Sequence, residues 1–310
     1  TVPVSGTGSA GMEAALCNFI EPGDNVLVAV LGYFGERMVE MAGRYGAQVD
    51  HIDRPWGEAF DPEEVKAALH QKKYKLLAMV HAETSTGVLQ PGIAEIASAA
   101  HDNGALLVLD AVTSLGGMPV EIDAWGVDVA FSGTQKSMSA PPGLAPLTVS
   151  PRAREVLRTR KTPVGNWYLD LSLLEKYWGN ERTYHHTAPI NSNYALREAL
   201  RMVAEEGLEE RFARHRSNAE VLWSGLEDLD ISLFVPEENR LTTLTTAVIP
   251  PGVSGVEVRK HLLNEYNLEI AGGFGPLVGK IWRIGLMGYS SRLENVMLLL
   301  ATLREVLKKR

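Results

Sequence analysis

Short apolar runs alternate with amphipathic segments along the first half of the chain. The runs have the length and composition of buried strands, and the segments between them repeat apolar residues at helical spacing. The predicted strands are residues 26–30, 48–52, 76–80, 106–109, 127–131 and 144–149, and the predicted helices are 12–19, 36–45, 62–70, 93–103 and 151–159. This alternation is typical of an α/β fold in which helices cover a mainly parallel sheet.

The pattern changes in the last third of the chain. Residues 193–229 are charged, with apolar residues at helical spacing, and predict one long helix that leads out of the large domain. Further strands are predicted at 231–235, 243–249 and 280–284, and further helices at 256–266 and 294–309. We therefore predict a large domain over residues 1–206 and a smaller C-terminal α/β domain over residues 207–310.

Capping residues mark several helix ends. Asp61 and Glu64 have the spacing of a capping box, and Ser254 and Glu257 repeat it in the second domain. Gly104 is placed to end a helix in the left-handed conformation.

Composition narrows the class of protein. The 310 residues are 45% hydrophobic and 22% charged, enough to bury a core in more than one domain. The net charge of −8 is spread without a basic cluster, which argues against nucleic acid as a partner. No apolar run has the length of a membrane span. The lone Cys17 has no partner for an internal disulfide, so we expect a cytoplasmic location, with small molecules and copies of this chain as partners.

An acid and a lysine each follow an apolar strand. Asp110 comes directly after residues 106–109, and Lys136 follows residues 127–131 by a short turn. Open α/β sheets place their ligands at the carboxyl ends of strands. A lysine there can form a Schiff base with an aldehyde, and a carboxylate can hold a pyridinium nitrogen protonated, as pyridoxal phosphate (PLP) requires. The alternative is that Asp110 only forms a turn and that Lys136 is an ordinary solvent-exposed lysine.

The residues around Lys136 make the comparison specific. Ser-Gly-Thr-Gln precedes the lysine and Ala-Pro-Pro-Gly follows shortly after it. With these motifs the chain resembles the class V (fold type I) PLP-dependent aminotransferases, most closely the alanine–glyoxylate and serine–pyruvate aminotransferase family. The resemblance implies that Lys136 carries the cofactor beside Gln135, and that Asp110 and Val112 contact its ring. The family has several tens of residues before the point where this chain begins, so we expect the N-terminal part of the large domain to be missing.

A glycine-rich segment near the start matches G-x-G-x-x-G over residues 6–11. A dinucleotide site would need an acid after the next strand, and none follows residues 26–30, so we do not interpret the segment as an NAD site. The amide groups of a helix N-terminus bind any phosphate, and the family resemblance implies that Thr7, Gly8 and Ser9 hold that of PLP. The alternative is a turn that merely permits tight packing.

Two further positions are assigned to the cofactor by the resemblance alone. Phe34 stands where the family has an aromatic side chain stacked on the pyridine ring, and Tyr33 is the alternative stacking residue. Thr84 takes the place of a hydroxyl residue that contacts the cofactor. We interpret His81, close to Thr84, as a hydrogen-bonded structural residue.

The segment Tyr184-His185-His186-Thr187 resembles one that a neighbouring subunit contributes to the phosphate, through the tyrosine and the threonine. The resemblance therefore implies a homodimer with shared active sites. Adjacent histidines point apart on regular elements, and no cluster has ligand spacing, so we predict no metal site.

Arg283 lies in a predicted strand of the second domain between apolar residues, where an unpaired guanidinium is costly. It needs an anion, and its planar fork matches a carboxylate. The family uses an arginine here to hold the α-carboxylate of the substrate. A structural ion pair is the alternative.

The predicted activity is PLP-dependent transamination of a small amino acid, alanine first and serine second, with glyoxylate or pyruvate as the acceptor. Ureidoglycine–glyoxylate and serine–glyoxylate activities are the alternatives within the family. The purine-breakdown enzymes carry Asn where this chain has Tyr184, which disfavours the former. A cysteine desulfurase would need a cysteine on a mobile loop, whereas Cys17 lies in a predicted helix. A truncated, non-catalytic binding module is the alternative of a different class.

Overall fold

The computed structural model describes residues 1–308 and places their strands in three sheets. The strands are β1 (Val2–Ser5), β2 (Asn25–Val30), β3 (Gln48–Asp53), β4 (Leu76–Val80), β5 (Ala82–Glu83), β6 (Val88–Leu89), β7 (Leu106–Asp110), β8 (Val129–Phe131), β9 (Leu144–Val149), β10 (Leu244–Val248), β11 (Ala271–Gly272) and β12 (Ile281–Gly285). The helices are α1 (Gly8–Cys17), α2 (Tyr33–Arg44), α3 (Pro62–Leu69), α4 (Ile93–Asn103), α5 (Pro151–Arg158), α6 (Leu171–Trp178), α7 (Ile190–Glu206), α8 (Leu208–Glu227), α9 (Gly255–Tyr266) and α10 (Leu293–Lys308).

The large sheet has seven strands in the order β1-β9-β8-β7-β4-β2-β3. The pairs from β3 to β8 are parallel, and β9 pairs antiparallel with both β8 and β1. Parallel neighbours need crossover connections, which the intervening helices supply. The carboxyl ends of β2, β4, β7 and β8 therefore meet at one edge.

Side chains on the central strands alternate between two apolar cores. Val26, Val28 and Val30 of β2 pack in the core that also contains α1 and α2, whereas Leu27 and Ala29 pack in the core with α3 and α4. Because successive side chains of a strand point to opposite faces, a continuous apolar run is buried on both sides. This confirms the predicted α/β class with a mainly parallel, helix-covered sheet.

The second sheet has three antiparallel strands in the order β10-β12-β11. Trp282 of β12 is fully buried in a third core, with residues of α8, α9 and α10. Residue 309 of the predicted last helix lies outside the described residues. The division into domains at residues 206 and 207 stays a prediction.

Three local predictions were wrong. Residues 193–229 form two helices, α7 and α8, because Gly207 between them has φ +83°, which a right-handed helix does not contain. Residues 231–235 form no strand, and only Leu233 bridges β10, at Ala247. The Ser254 hydroxyl accepts a bond from the Glu257 amide, but the Glu257 carboxylate pairs with Lys260 instead of completing a capping box.

The other two caps are confirmed. Asp61 and Glu64 form a reciprocal capping box, and Gly104 ends α4 in the left-handed conformation with φ +91°. Among residues 1–308, none of the helices is both long and apolar enough to cross a membrane.

Candidate active site

A cavity of about 190 Å³ lies at the carboxyl ends of the parallel strands. It contains all of the predicted site residues except Tyr184, Thr187 and Arg283. The lining residues are Thr7, Gly8, Ser9, Met12, Phe34, Val80, Ala82, Thr84, Asp110, Val112, Gln135 and Lys136. Segments far apart in the sequence therefore converge on one enclosed space.

Asp110 ends β7 and is only 3% exposed. Its Oδ1 accepts a hydrogen bond of 2.8 Å from the Val112 amide. Burial raises the pKa of this carboxyl to about 7, although the Val112 amide and the charges of Lys136 and Arg37 oppose the rise. A cationic group placed against Asp110 would restore its ionised form.

Lys136 is held in a compact loop after β8. Its amide donates to the Gly133 carbonyl at 3.3 Å, and its carbonyl accepts from the Ser139 amide at 2.9 Å. Burial lowers the pKa of the Lys136 amine, and the positive charge of Arg283 lowers it further. An amine with a lowered pKa is neutral more often, and only the neutral amine acts as a nucleophile or base.

The start of α1 forms one end of the cavity. Thr7 is the N-cap residue, and its side chain makes no capping hydrogen bond. A Cβ on Gly8 would lie 3.0 Å from a methyl of Val112, so the backbone approaches Val112 as only glycine allows. The first amides of a helix lack intrahelical acceptors and favour an anion. The cavity end is therefore suited to a phosphate.

Sequence reasoning missed Arg37, whose guanidinium donates to the Ser9 hydroxyl at 2.8 Å. The same guanidinium lies 5.0 Å from the ring centroid of Phe34 and 5.2 Å from that of Tyr33. The predicted helix began at residue 36, which hid the helical spacing of Arg37 with these aromatic residues. Helix α2 in fact begins at Tyr33.

Arg283 lies on β12, facing the loop that contains Thr84. Its Nε donates to the Gly272 carbonyl at 2.7 Å and its Nη1 to the Thr84 carbonyl at 3.3 Å. The guanidinium carbon is 4.1 Å from the ring centroid of Phe274. Within residues 1–308 it forms no ion pair, and burial, followed by the charge of Arg259, lowers its pKa. The remaining donors are suited to an anion from outside the chain.

Phe274 is a second residue that sequence reasoning missed. Its ring stacks on Tyr33, with centroids 5.1 Å apart, and meets Phe34 edge-on. It thus joins the start of α2 to Arg283. An aromatic residue among the glycines at 272, 273 and 275 was the available signal.

Tyr184 and Thr187 lie on the surface, away from the cavity. Tyr184 is 71% exposed, and its hydroxyl lies 3.2 Å from the Thr187 hydroxyl. The histidines between them are buried, and His186 stacks on Tyr168. No group of three or more metal-binding side chains is found within residues 1–308.

His81 is buried against Ser114 and Trp125, and it lies outside the cavity lining. Burial lowers its pKa to about 4, so the ring is neutral at physiological pH. These contacts fit a structural histidine.

The geometry agrees with what sequence comparison finds. Residues 1–294 match the family described as Aminotransferase class-V. The chain belongs to this family. It is 43% identical over 323 residues to the (S)-ureidoglycine–glyoxylate transaminase of Bacillus subtilis strain 168, covering 98% of this chain and 77% of that protein. It is 41% identical to the alanine–glyoxylate aminotransferase of Rattus norvegicus, covering 99% of this chain and 75% of that protein.

Solved structures of aminotransferases share the fold closely. A crystal structure of alanine–glyoxylate aminotransferase from Nostoc sp. superposes with a TM-score of 0.96 at 56% identity, covering 98% of this chain and 81% of that one. The likeness to a cysteine desulfurase from Thermococcus onnurineus, with a TM-score of 0.77 at 18% identity, concerns the fold alone. The chain is therefore an aminotransferase with the fold of its class V relatives.

Proposed function

We propose that this aminotransferase uses PLP to move the amino group of a small amino acid, alanine first and serine second, to glyoxylate or pyruvate. The observation that carries the proposal is the cavity that holds Lys136, Asp110 and the start of α1 together. The relatives described above are named for glyoxylate as the acceptor.

The side chains that line the cavity fit PLP as a cofactor. Thr7, Gly8 and Ser9 would hold its phosphate at the positive end of α1, where the Thr7 side chain makes no capping hydrogen bond of its own. The buried carboxyl of Asp110 needs a cationic partner, which a protonated ring nitrogen supplies. Phe34 would stack on the ring, with Thr84, Val112 and Gln135 around it.

Bound PLP supplies an aldehyde for the substrate amine and a protonated ring that withdraws electrons from the substrate Cα. The chain provides the acid–base chemistry. Lys136, with its lowered pKa, would take the proton from the substrate Cα when neutral and, once charged, would deliver it to the carbon that was the cofactor aldehyde. An ionised Asp110 would keep the ring nitrogen protonated. Arg283 orients Cα toward Lys136 by binding the substrate carboxylate through the donors that the chain leaves unused.

The proposal includes a homodimer with shared active sites. Exposed aromatic side chains pack on the histidines beside Tyr184, namely Trp167 at 63% and Tyr168 at 43%. Large exposed aromatic residues are enriched at protein interfaces. Tyr184 and Thr187 would then reach the phosphate of the partner. Light scattering together with PLP occupancy on dilution tests this, because a monomer with full occupancy contradicts a shared site. A cytoplasmic location stays a prediction.

Ureidoglycine is the second candidate donor, since a relative named for it is 43% identical. A panel of amino donors, assayed with glyoxylate and with pyruvate, separates the two candidates. The proposal expects alanine to convert the cofactor in a half-reaction and glyoxylate to return it. Faster turnover of ureidoglycine than of alanine favours the second candidate. A chain that binds PLP but converts it with no donor would be a non-catalytic binding module.

A further inference from the structure

Glu83 is a buried acid that the proposed chemistry does not use. It lies in β5 between Ala82 and Thr84, both of which line the cavity, and its exposure is 0%. Its Oε1 accepts hydrogen bonds from the Ser85 amide at 3.0 Å and from the Ser85 hydroxyl at 2.6 Å. Its Oε2 is buried without a hydrogen-bond partner among residues 1–308. Burying an acid is costly unless it is paired or hydrogen-bonded, so the groups around Glu83 decide its role.

The carboxylate faces the start of α2, a helix that cannot cap itself. The N-cap residue is Gly32, which has no side chain to accept a bond from the first turn. The Ser85 hydroxyl accepts the Tyr33 amide at 3.0 Å. A Cβ on Gly32 would lie 2.4 Å from that hydroxyl oxygen and 2.9 Å from Cγ of Glu83. Glu83 and Ser85 therefore supply from β5 and its turn the cap that α2 lacks.

Electrostatics favour the same arrangement. Burial raises the pKa of Glu83, whereas the Ser85 donors and the backbone amides of Phe34 and Gly35 stabilise the ionised form. A negative charge at a helix N-terminus is favourable because the helix dipole is positive there.

The first five residues of α2 include two side chains at the proposed cofactor site. Phe34 lines the cavity, and Arg37 fixes the hydroxyl of Ser9. A fraying of this segment would move both at once, since they share one helical face.

We propose that Glu83 is a positioning residue, which caps α2 through Ser85 and so holds Phe34 and Arg37 in place for the cofactor. This rests on the proposed use of PLP, and it adds a residue that acts on the cofactor without touching it.

The test measures the dissociation constant of PLP by absorbance in four proteins. They are the parent, Glu83→Ala, the double variant Phe34→Ala/Arg37→Ala, and the triple variant that carries all three substitutions. We expect Glu83→Ala to weaken PLP binding about tenfold in the parent, from the usual value of a helix cap. In the Phe34→Ala/Arg37→Ala background we expect a further loss below about threefold, because the residues that Glu83 positions are already absent.

Three further variants separate positioning from general damage. Ser85→Ala should weaken PLP binding in the same direction, and Glu83→Gln should retain most of the affinity, since its amide oxygen still accepts from Ser85. Asp128→Asn is the matched control, because Asp128 is a buried acid directly before β8, bonded to Ser150 and outside the cavity. It should lower the unfolding midpoint of the apoprotein without changing PLP affinity.

Two results overturn the proposal. An equal loss from Glu83→Ala in both backgrounds shows that Glu83 does not act through Phe34 and Arg37, while the proposed cofactor site stands. Unchanged PLP affinity in Phe34→Ala/Arg37→Ala contradicts the stacking assigned to Phe34 in the proposed function, and the role of Glu83 falls with it. If Glu83→Ala does not fold, Ser85→Ala replaces it in the same comparison.

Discussion

Burial disfavours the charged form of both Asp110 and Lys136. It raises the pKa of the carboxyl to about 7 and lowers that of the amine. In the chain alone, Asp110 therefore exchanges its proton near neutrality, and Lys136 loses its proton more readily than an exposed lysine does. A cationic ligand against Asp110 and an aldehyde against Lys136 would each relieve part of this cost.

Replacing Lys136 with alanine should abolish turnover, because the amine that binds the aldehyde and the base that takes the Cα proton are lost together. PLP should still bind at the start of α1 without a covalent bond. Borohydride reduction followed by peptide mass spectrometry is the measurement. A reducible lysine adduct that persists in the variant would show that another lysine holds the cofactor.

Asp110→Asn should keep the fold and lower kcat by roughly 10² to 10⁴, the usual value of one electrostatic or acid–base contribution. An amide cannot keep the ring nitrogen protonated. Steady-state kinetics with alanine and glyoxylate give the number, and circular dichroism checks the fold. A rate near that of the parent would show that Asp110 only forms a turn.

Arg283→Lys should lower kcat/KM for alanine by an amount that corresponds to about 2 to 5 kcal/mol of lost transition-state stabilisation. The reason is that the point charge of lysine does not replace the planar fork of arginine in a desolvated contact with a carboxylate. The spectrum of bound cofactor should remain, since Arg283 is not among the residues that line the cavity and contacts only the backbone carbonyls of Thr84 and Gly272. Half-reaction kinetics with alanine and with a decarboxylated amine measure the effect. A loss of equal size for both would mean that the substitution damaged the fold or the cofactor site.

At the scale of elements, periodicity predicted the large sheet because its central strands β2, β4 and β7 are buried on both faces and read as continuous apolar runs. Periodicity failed where a single residue determines the backbone conformation. Gly207 splits a pattern that has helical spacing throughout, and residues 231–235 pack as a strand would but bridge β10 at only one point.

The candidate site shows the same division. Residues at strand ends, such as Asp110 and Lys136, could be named from the sequence because their neighbours form recognisable motifs. Arg37, Glu83 and Phe274 were not named, since their roles arise from contacts between segments that are far apart in the chain, in the case of Glu83 through Ser85 and the Tyr33 amide. A local pattern can mark such a residue, as the glycines around Phe274 do, but it does not identify the partner.

Gly207→Ala should destabilise the chain by roughly 1 to 2 kcal/mol, because alanine at φ +83° is strained. Gly43→Ala is the matched control, since Gly43 lies inside α2 with nothing within 4 Å of an added Cβ. It should be stabilising by about 0.5 to 1 kcal/mol. Urea unfolding midpoints measure both, and equal shifts in the two variants would contradict the role given to the Gly207 backbone.

At the scale of the whole molecule, the loop of Lys136 is tied to the small sheet by one cluster on α8. The Arg211 guanidinium donates to the Gly116 carbonyl at 2.7 Å and to the Ser137 carbonyl beside the lysine. Nδ1 of His215 lies 2.7 Å from the Arg211 carbonyl, and its Nε2 accepts the Gly288 amide at 2.9 Å. The loop of Lys136 and the turn that follows β12 of the small sheet therefore both contact α8, at Arg211 and at His215.

The contact at His215 should make folding stability depend on pH. Burial lowers the pKa of His215 to about 4, and a proton on Nε2 would face the Gly288 N–H that this atom now accepts. The folded state thus binds this proton more weakly than the unfolded state does. The stabilisation is complete above the unfolded pKa of about 6.5 and is lost as the pH falls toward 4. The loss amounts to roughly 3 kcal/mol for this one group.

Asp110 acts in the opposite sense in the apoprotein, because its raised pKa makes the folded state bind a proton between about pH 4 and 7. The histidine is therefore isolated as a difference between parent and His215→Gln, whose amide oxygen can accept the Gly288 amide but takes no proton. Urea unfolding from pH 7.5 to 4.5 should show the stability of the parent falling relative to the variant below pH 6.5. The exposed His70→Gln is the control for replacing a histidine with glutamine away from this contact. A constant difference for His215→Gln over this range would show that the histidine takes up its proton without disturbing the contact between α8 and the turn after β12.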